Sequence, residues 1–324
     1  MPRKLILDVD TGTDDAVAIM FAALHPELHL VGVTTVNGNV PVQNCTDNSL
    51  RVLDFIGRGD VPVYQGLSRP IVRRGFPAPK RFESDSPLSM HGSSLPLPEP
   101  RNAKRDGSAV EYLLETLRST ADEITLVPVG PLSNVAAALA IDPTIVDAVP
   151  EVVIMGGGHQ VGNESASAEF NIWADPEAAE MVFTAGFRKV TLVPLDATHQ
   201  ALVTQKDCDE LAALGTPAGI AAARLIGRRV DAYTAGAGVA LAGAAPVHDA
   251  VCTAYLVRPD VITTRPLHVA VETQGRYTVG RTVMDTRTGS KQVPNCEVAF
   301  SANARVFVEL LMNVFSHLAA PVAD

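Results

Sequence analysis

The stretch "KLILDVDTGTDDAVAIMFAALH", residues 4–25, decides the fold class. Its first six residues read as a strand around the apolar run "LIL", and its last twelve carry the apolar periodicity of a helix. Across their junction Asp8, Asp10, Asp14 and Asp15 crowd four carboxylates into eight positions. The reading is a strand that delivers acidic residues at its carboxyl end and turns straight into a helix.

The same alternation continues outward. "LHLVGVTTV" (28–36) precedes the helical "VQNCTDNSLRVLDFIG" (42–57), and "EITLVPVG" (123–130) precedes "LSNVAAALAI" (132–141). "VPEVVIMGGG" (149–158) leads into a loop, and "DPEAAEMVFTAG" (175–186) is a helix before "KVTLVPL" (189–195). Strands alternating with helices predict an α/β fold, a mostly parallel central sheet covered by helices on both faces. Sites in such sheets lie at the carboxyl ends of the strands. The acidic cluster, "VNGN", "VGP", "MGGG" and "DATH" all fall at such ends. Residues 66–105, rich in Pro, Ser and Arg, predict a long lid-like loop. Residues 201–247 are Ala-rich and helical in pattern, with glycines near 236–243. "LHVAVETQGRYTVGRTVMD" (267–285) predicts an antiparallel hairpin, and "ARVFVELLMNVFSHL" a final helix. With no repeat or linker in sight, residues 1–324 are expected to form one domain.

Composition narrows the function. With 47% hydrophobic and 19% charged residues the chain is globular, and a formal charge of −10 argues against a nucleic-acid backbone as partner. Cys45, Cys208, Cys252 and Cys296 are scattered, with no metal-binding or disulfide spacing. The absence of a signal-peptide pattern or an apolar run of spanning length leads to the expectation of a cytoplasmic protein with no membrane partner.

The carboxylate cluster admits several readings. A helix cap explains one aspartate but not four. An EF-hand calcium loop needs a glutamate at its twelfth position, where Ile19 stands. A Mg²⁺-dependent aspartyl-phosphate phosphatase would use Asp8 as nucleophile with Asp10, but Gly12 holds the place of its threonine and Asp14 and Asp15 go unused. A hard-cation site, with one carboxylate also acting as base toward a water, uses most of the cluster and relieves its repulsion.

With these motifs the chain resembles the inosine–uridine nucleoside hydrolase family. "DVDTGTDDA", "TTVNGNV", "VGPLSNVA", "MGG", "GN…AEFNIWADPEAA" and "VHDA" follow in the family's order, from about residue 5 to residue 256. The resemblance implies a Rossmann-like fold and Ca²⁺-dependent hydrolysis of the N-glycosidic bond of ribonucleosides, in nucleoside salvage. It implies a Ca²⁺ held by Asp10, Asp15, the carbonyl of Val129 and Asp249. Asp10 would be general base and His248 the acid for the departing base. Asp14 and Asn39 would hold the 2′-hydroxyl side of the ribose, Asn163, Glu169 and Asn171 its 5′ side, and Met155 would line the sugar pocket. His91 and Tyr233 would stand near the base. The family's habit implies a homo-oligomer, a dimer or tetramer. A nucleoside-binding protein that has lost turnover is the non-enzymatic alternative. This chain departs from the family in two places: Leu95 stands where H-G-x-x-G expects glycine, and the helix before "VHDA" offers Tyr233 alone where the family often has several aromatics; Trp173, the single tryptophan, lies in "FNIWADP", which argues against a tryptophan sandwich around a purine.

Overall fold

The computed structural model describes residues 1–73, 90–119, 123–236, 241 and 243–317. The centre of the expected 66–105 loop, and most of the glycine-rich stretch near 236–243, lie outside them. In chain order the elements are β1 (Arg3–Val9), α1 (Thr13–Leu24), β2 (Leu28–Thr35), α2 (Val42–Phe55), β3 (Val63–Gln65) and α3 (Ala109–Ser119). There follow β4 (Thr125–Pro128), α4 (Ser133–Ile141), β5 (Val152–Met155), α5 (Phe170–Ala174), α6 (Pro176–Thr184), β6 (Val190–Val193) and α7 (Leu195–Thr198). Next come β7 (Leu202–Thr204), α8 (Gln205–Ala213), α9 (Pro217–Thr234), β8 (Ala244–Pro246) and α10 (His248–Val257). The last are β9 (Ile262–Leu267), β10 (Val269–Val271), β11 (Thr282–Met284), β12 (Cys296–Ala302) and α11 (Ala304–Phe315).

Eight strands form one sheet in the order β3-β2-β1-β4-β5-β6-β12-β9, parallel throughout except for β9, which pairs antiparallel with β12 at the edge. Each strand divides its side chains between two cores, because successive residues point to opposite faces. On β1, Leu5, Leu7 and Val9 join one core with residues of α1, α2, α9 and α10. Ile6 joins the other, with residues of α3, α4 and α6. The expected parallel sheet with helices on both faces is what forms.

Strand order reverses between β1 and β4, and at such a switch point the loops diverge to leave a crevice at the strands' carboxyl ends. Asp10 follows β1 directly, and Val129 follows β4, its N–H donating to the Asp8 carbonyl at 2.8 Å. The opposite end of the sheet is closed by a buried carboxylate. Glu151 accepts from Arg3 Nη2 at 2.6 Å, Thr191 Oγ1 at 2.7 Å and Tyr255 Oη at 2.9 Å, with Lys189 Nζ also 2.9 Å away.

The predicted hairpin forms as antiparallel β10 and β11, and the final helix as α11. The helical reading of 201–247 holds for α8 and α9, but its two ends pair as antiparallel strands, β7 with β8. That pair, with β3, β9 and β12, carries no local signal strong enough to read: three of the five strands have three residues each.

Candidate active site

Asp10, Asp14, Asp15 and Asp249 are all buried. β1 and α1 supply the first three, and the first turn of α10 supplies Asp249. Asp15 turns back on its own chain, accepting the N–H of Asp10 at 3.1 Å and of Gly12 at 2.9 Å. It thereby satisfies amides that the start of α1 leaves without helical partners. Asn39 donates its backbone N–H to Asp10 Oδ2 at 2.6 Å and its side-chain amide to Asp15 Oδ2 at 3.2 Å. Gly38 makes that approach possible, since a Cβ there would collide with the Asp10 carboxylate.

Asp14, Asp15 and Asp249 can each offer an oxygen with all three within 4.8 Å of one another. Burial, then the charge of Asp14, pushes the Asp15 carboxyl up to about 6. Burial, then neighbouring carboxylates, raises Asp10 and Asp249 well above the usual range. Asp14 goes the other way: burial opposes its ionisation, but Arg229, His91 and His248 outweigh it and lower its pKa. Arg229 Nη1 lies 2.9 Å from Asp14 Oδ1. One guanidinium against four carboxylates leaves a buried negative excess, and Asp14 Oδ1 takes no aligned hydrogen bond. This donor set fits a hard divalent cation, which prefers carboxylate oxygen and would remove the repulsion.

The fourth carboxylate of the opening cluster has a different fate. Asp8 points with Ile6 to the other face of the sheet, where Oδ1 accepts from Thr34 Oγ1 and Asn134 Nδ2, both at 2.7 Å. Burial, partly offset by those two hydrogen bonds, pushes its carboxyl up to about 7. Asn134 also donates to the Thr35 carbonyl and accepts from Leu67 N–H, so Asp8 fastens the start of the long loop to the sheet. It does not line the cavity, which rules out the phosphatase nucleophile.

Above the carboxylates is a cavity of about 280 Å³. Of the residues singled out from the sequence, Asp10, Asp14, Asn39, His91, Val129, Met155, Asn163, Glu169, Asn171, Tyr233, His248 and Asp249 line it. Asp15 lies behind this lining, within the carboxylate group. Glu169 caps α5, accepting from Asn171 N–H and Gly157 N–H, each at 2.9 Å. Gly157 takes φ +70°, and a Cβ there would press on Thr282. The glycine run is therefore a tight turn that aims an amide at Glu169. Asn171 Nδ2 donates to the carbonyls of Val129 at 2.7 Å and Met155 at 3.2 Å. Both its hydrogens are thus engaged and its Oδ1 is left as the acceptor.

On another wall His248 is held between two hydroxyls, Thr198 Oγ1 at 2.7 Å from Nδ1 and Tyr233 Oη at 3.2 Å from Nε2. Burial, then Arg229, holds the His248 pKa well below its ordinary value. His91 Nδ1 accepts the N–H of Thr13 at 3.2 Å. Four residues later Leu95 is buried in the core, with its N–H held by Asn48 Oδ1 at 2.9 Å. The departure from glycine therefore anchors this segment. Met90, Phe170 and Arg229 also line the cavity and were not singled out from sequence. For Arg229 a signal existed: it precedes Tyr233 by four residues, one turn along the same helix face.

This architecture sets acidic residues and a histidine around a cavity at the switch point, and comparison with known proteins gives its class as nucleoside hydrolase. The chain belongs to the inosine-uridine preferring nucleoside hydrolase family, whose pattern it matches over residues 5–309. It is 40% identical over 284 residues to the pyrimidine-specific ribonucleoside hydrolase RihB of Escherichia coli (strain SE11), covering 87% of each chain. Among solved structures, the purine-preferring ribonucleoside hydrolase from Gardnerella vaginalis superposes with a TM-score of 0.86 at 33% identity, over 98% of this chain and 99% of that one. An inosine-guanosine nucleoside hydrolase does so with a TM-score of 0.84 at 28% identity, over 98% and 100%. The chain is thus an enzyme that hydrolyses the N-glycosidic bond of ribonucleosides. Among the described residues no helix is long and apolar enough to cross a membrane.

Proposed function

We propose that the enzyme is Ca²⁺-dependent and acts on both purine and pyrimidine ribonucleosides, releasing ribose and the free base. The observation that carries the metal dependence is the buried group Asp14, Asp15 and Asp249, beside Asp10, with Arg229 as its one buried cation among the described residues. Asp15 and Asp249 of that group, with Asp10 and the carbonyl of Val129, would hold the ion, while Asp14 is paired with Arg229. Bound there, it would balance their charge, fix the ribose hydroxyls and acidify the attacking water.

Cleavage leaves positive charge on the sugar, and a ring of carboxylates lowers the energy of that state. Asp10 accepts the proton of the attacking water, with Asn39 N–H fixing its carboxylate from behind. Asp14 and Asn39 serve the 2′-hydroxyl. Asn171, Glu169 and Asn163 serve the 5′ side, and Met155 packs on the ring. His248, with Tyr233 on its Nε2, faces the departing base. Since Thr198 and Tyr233 take its two ring nitrogens, His248 would serve as acid for the base through the Tyr233 hydroxyl, which can accept one proton and donate another. His91 closes the cavity from the long loop.

Reducing-sugar release from uridine, cytidine, inosine and adenosine, with and without chelator, tests this reading. Turnover that disappears with chelator and returns with Ca²⁺ is expected, as is its absence in Asp10→Ala. Full activity in chelator would refute the metal. Activity confined to pyrimidines, as the name of the Escherichia coli relative would have it, or to purines, would refute the broad range.

A further inference from the structure

We propose that Arg229 is a further catalytic residue: its guanidinium hydrogen-bonds the departing base and stabilises the negative charge the base gathers as the glycosidic bond breaks. The proposal rests on the hydrolase reading and adds to it a residue for the leaving-group half of the reaction.

Arg229 belongs to α9 and is 1% exposed, the largest fully buried side chain among the described residues, yet it lines the cavity. Its Nε donates to the Pro246 carbonyl at 2.9 Å, and Nη1 donates to Thr13 Oγ1 at 3.2 Å beside Asp14. Beyond these contacts with the described protein, the guanidinium borders the cavity. A guanidinium carries five N–H donors, and one that borders a substrate cavity can turn those the protein does not take toward the substrate.

Its position says which part of the substrate. On one side it meets Asp14, next to the carboxylates that suit a ribosyl cation. On the other, its Cζ is 6.0 Å from the ring centre of Tyr233, whose hydroxyl reaches His248. Arg229 therefore stands where sugar and base part. When C1′–N breaks, the bonding pair stays on the base nitrogen. The water oxygen bonds to C1′ and gives its proton to Asp10, and the base then takes a proton from solvent or its neighbours. A guanidinium keeps its proton throughout, so it meets the anion as a fixed positive donor in a water-poor site. Its role is binding charge, not transferring a proton.

The alternative role, compensation of Asp14 alone, makes a different prediction, since it concerns the sugar and metal side common to every substrate. Arg229→Gln and Arg229→Lys are compared with wild type on uridine, inosine and 4-nitrophenyl riboside, whose leaving group departs as an anion stable without help. Melting temperature with and without Ca²⁺ is recorded for each protein. The expected result is a fall in kcat of roughly 100-fold or more on the nucleosides in Arg229→Gln, the scale for losing one transition-state donor. The fall on 4-nitrophenyl riboside should be under about five-fold, and Arg229→Lys should recover part of the nucleoside loss. Equal losses on all three substrates, or a loss in KM with kcat intact, would overturn the proposal. If Arg229→Gln does not fold, the ratio of losses in Arg229→Lys is read by the same criterion. Wild type that releases no ribose from any nucleoside would sink the hydrolase reading itself, a result separate from the ratio.

Discussion

Truncating Leu95 to alanine tests the chief point at which this chain leaves its family's pattern. Leu95 is 2% exposed and belongs to the larger of the two cores. Removing three buried carbons from such a site loses their transfer free energy and leaves a cavity, together worth about 3 kcal/mol. The effect should reach the active site by a definite route. Asn48 Oδ1 holds the Leu95 N–H, and Asn48 Nδ2 holds the Thr11 carbonyl, at 2.9 Å each, so one side chain ties this segment to the acidic loop. His91, four residues earlier, leans on Thr13. With the anchor loosened, KM for nucleosides should rise while Ca²⁺ affinity stays within about two-fold, because the carboxylates are held from the other side by Asn39. Urea unfolding gives the stability term, steady-state kinetics the KM, and Ca²⁺ titration the control. Ile141→Ala, at a residue 62% exposed on α4, should cost no more than about 0.5 kcal/mol and calibrates the measurement. If Leu95→Ala costs no more than Ile141→Ala, or leaves KM unchanged, the anchoring argument is wrong.

Three further outcomes follow from particular contacts. Gly38→Ala should abolish turnover by displacing the Asp10 carboxylate, whereas Gly227→Ala, in mid-helix with nothing within 4 Å of a new Cβ, should raise stability by about 0.5–1 kcal/mol. Unfolding curves and kcat together would expose an error if Gly38→Ala turned over normally. Thr198→Val should lower kcat by roughly ten-fold by freeing the His248 ring, with Thr198→Ser close to wild type; a serine variant as slow as the valine would contradict this. Burial opposes ionisation of Glu151, but hydrogen bonds from Thr191, Arg3 and Lys189 outweigh it, leaving its pKa below the usual 4.5. Its contribution to stability is present above pH 4.5 and is lost as pH falls through the lower folded-state value. The stability gap between wild type and Glu151→Gln should accordingly narrow below that pH; a gap that stays constant into acid would show that the network does not work through the charge.

The acidic cluster was legible because its chemistry is local. Carboxylates crowded at the end of an apolar run suggest a cation site, and the helix pattern after them places Asp14 and Asp15 in its first turn. Asp8 was not legible as a member of the other face. Its neighbours Thr34 and Asn134 come from 26 and 126 residues away, and only the alternation of side chains along β1, once the strand is buried on both sides, turns it from the cavity. β12 escaped for a similar reason: it lies parallel to β6, about a hundred residues earlier, and antiparallel to β9.

By itself the sequence determined most of the strand and helix alternation between β1 and β6, because hydrophobic periodicity and helix-terminal chemistry act over a few residues. It also suggested a cation site as the chemistry of the strand end. Tertiary structure decided which charges meet. Arg229 reaches Asp14 across 215 positions because α9 packs on α1, and that contact puts a buried cation beside the carboxylates. No local pattern encodes such a pairing. It exists only once the two helices have been brought together by the apolar faces they bury in the same core.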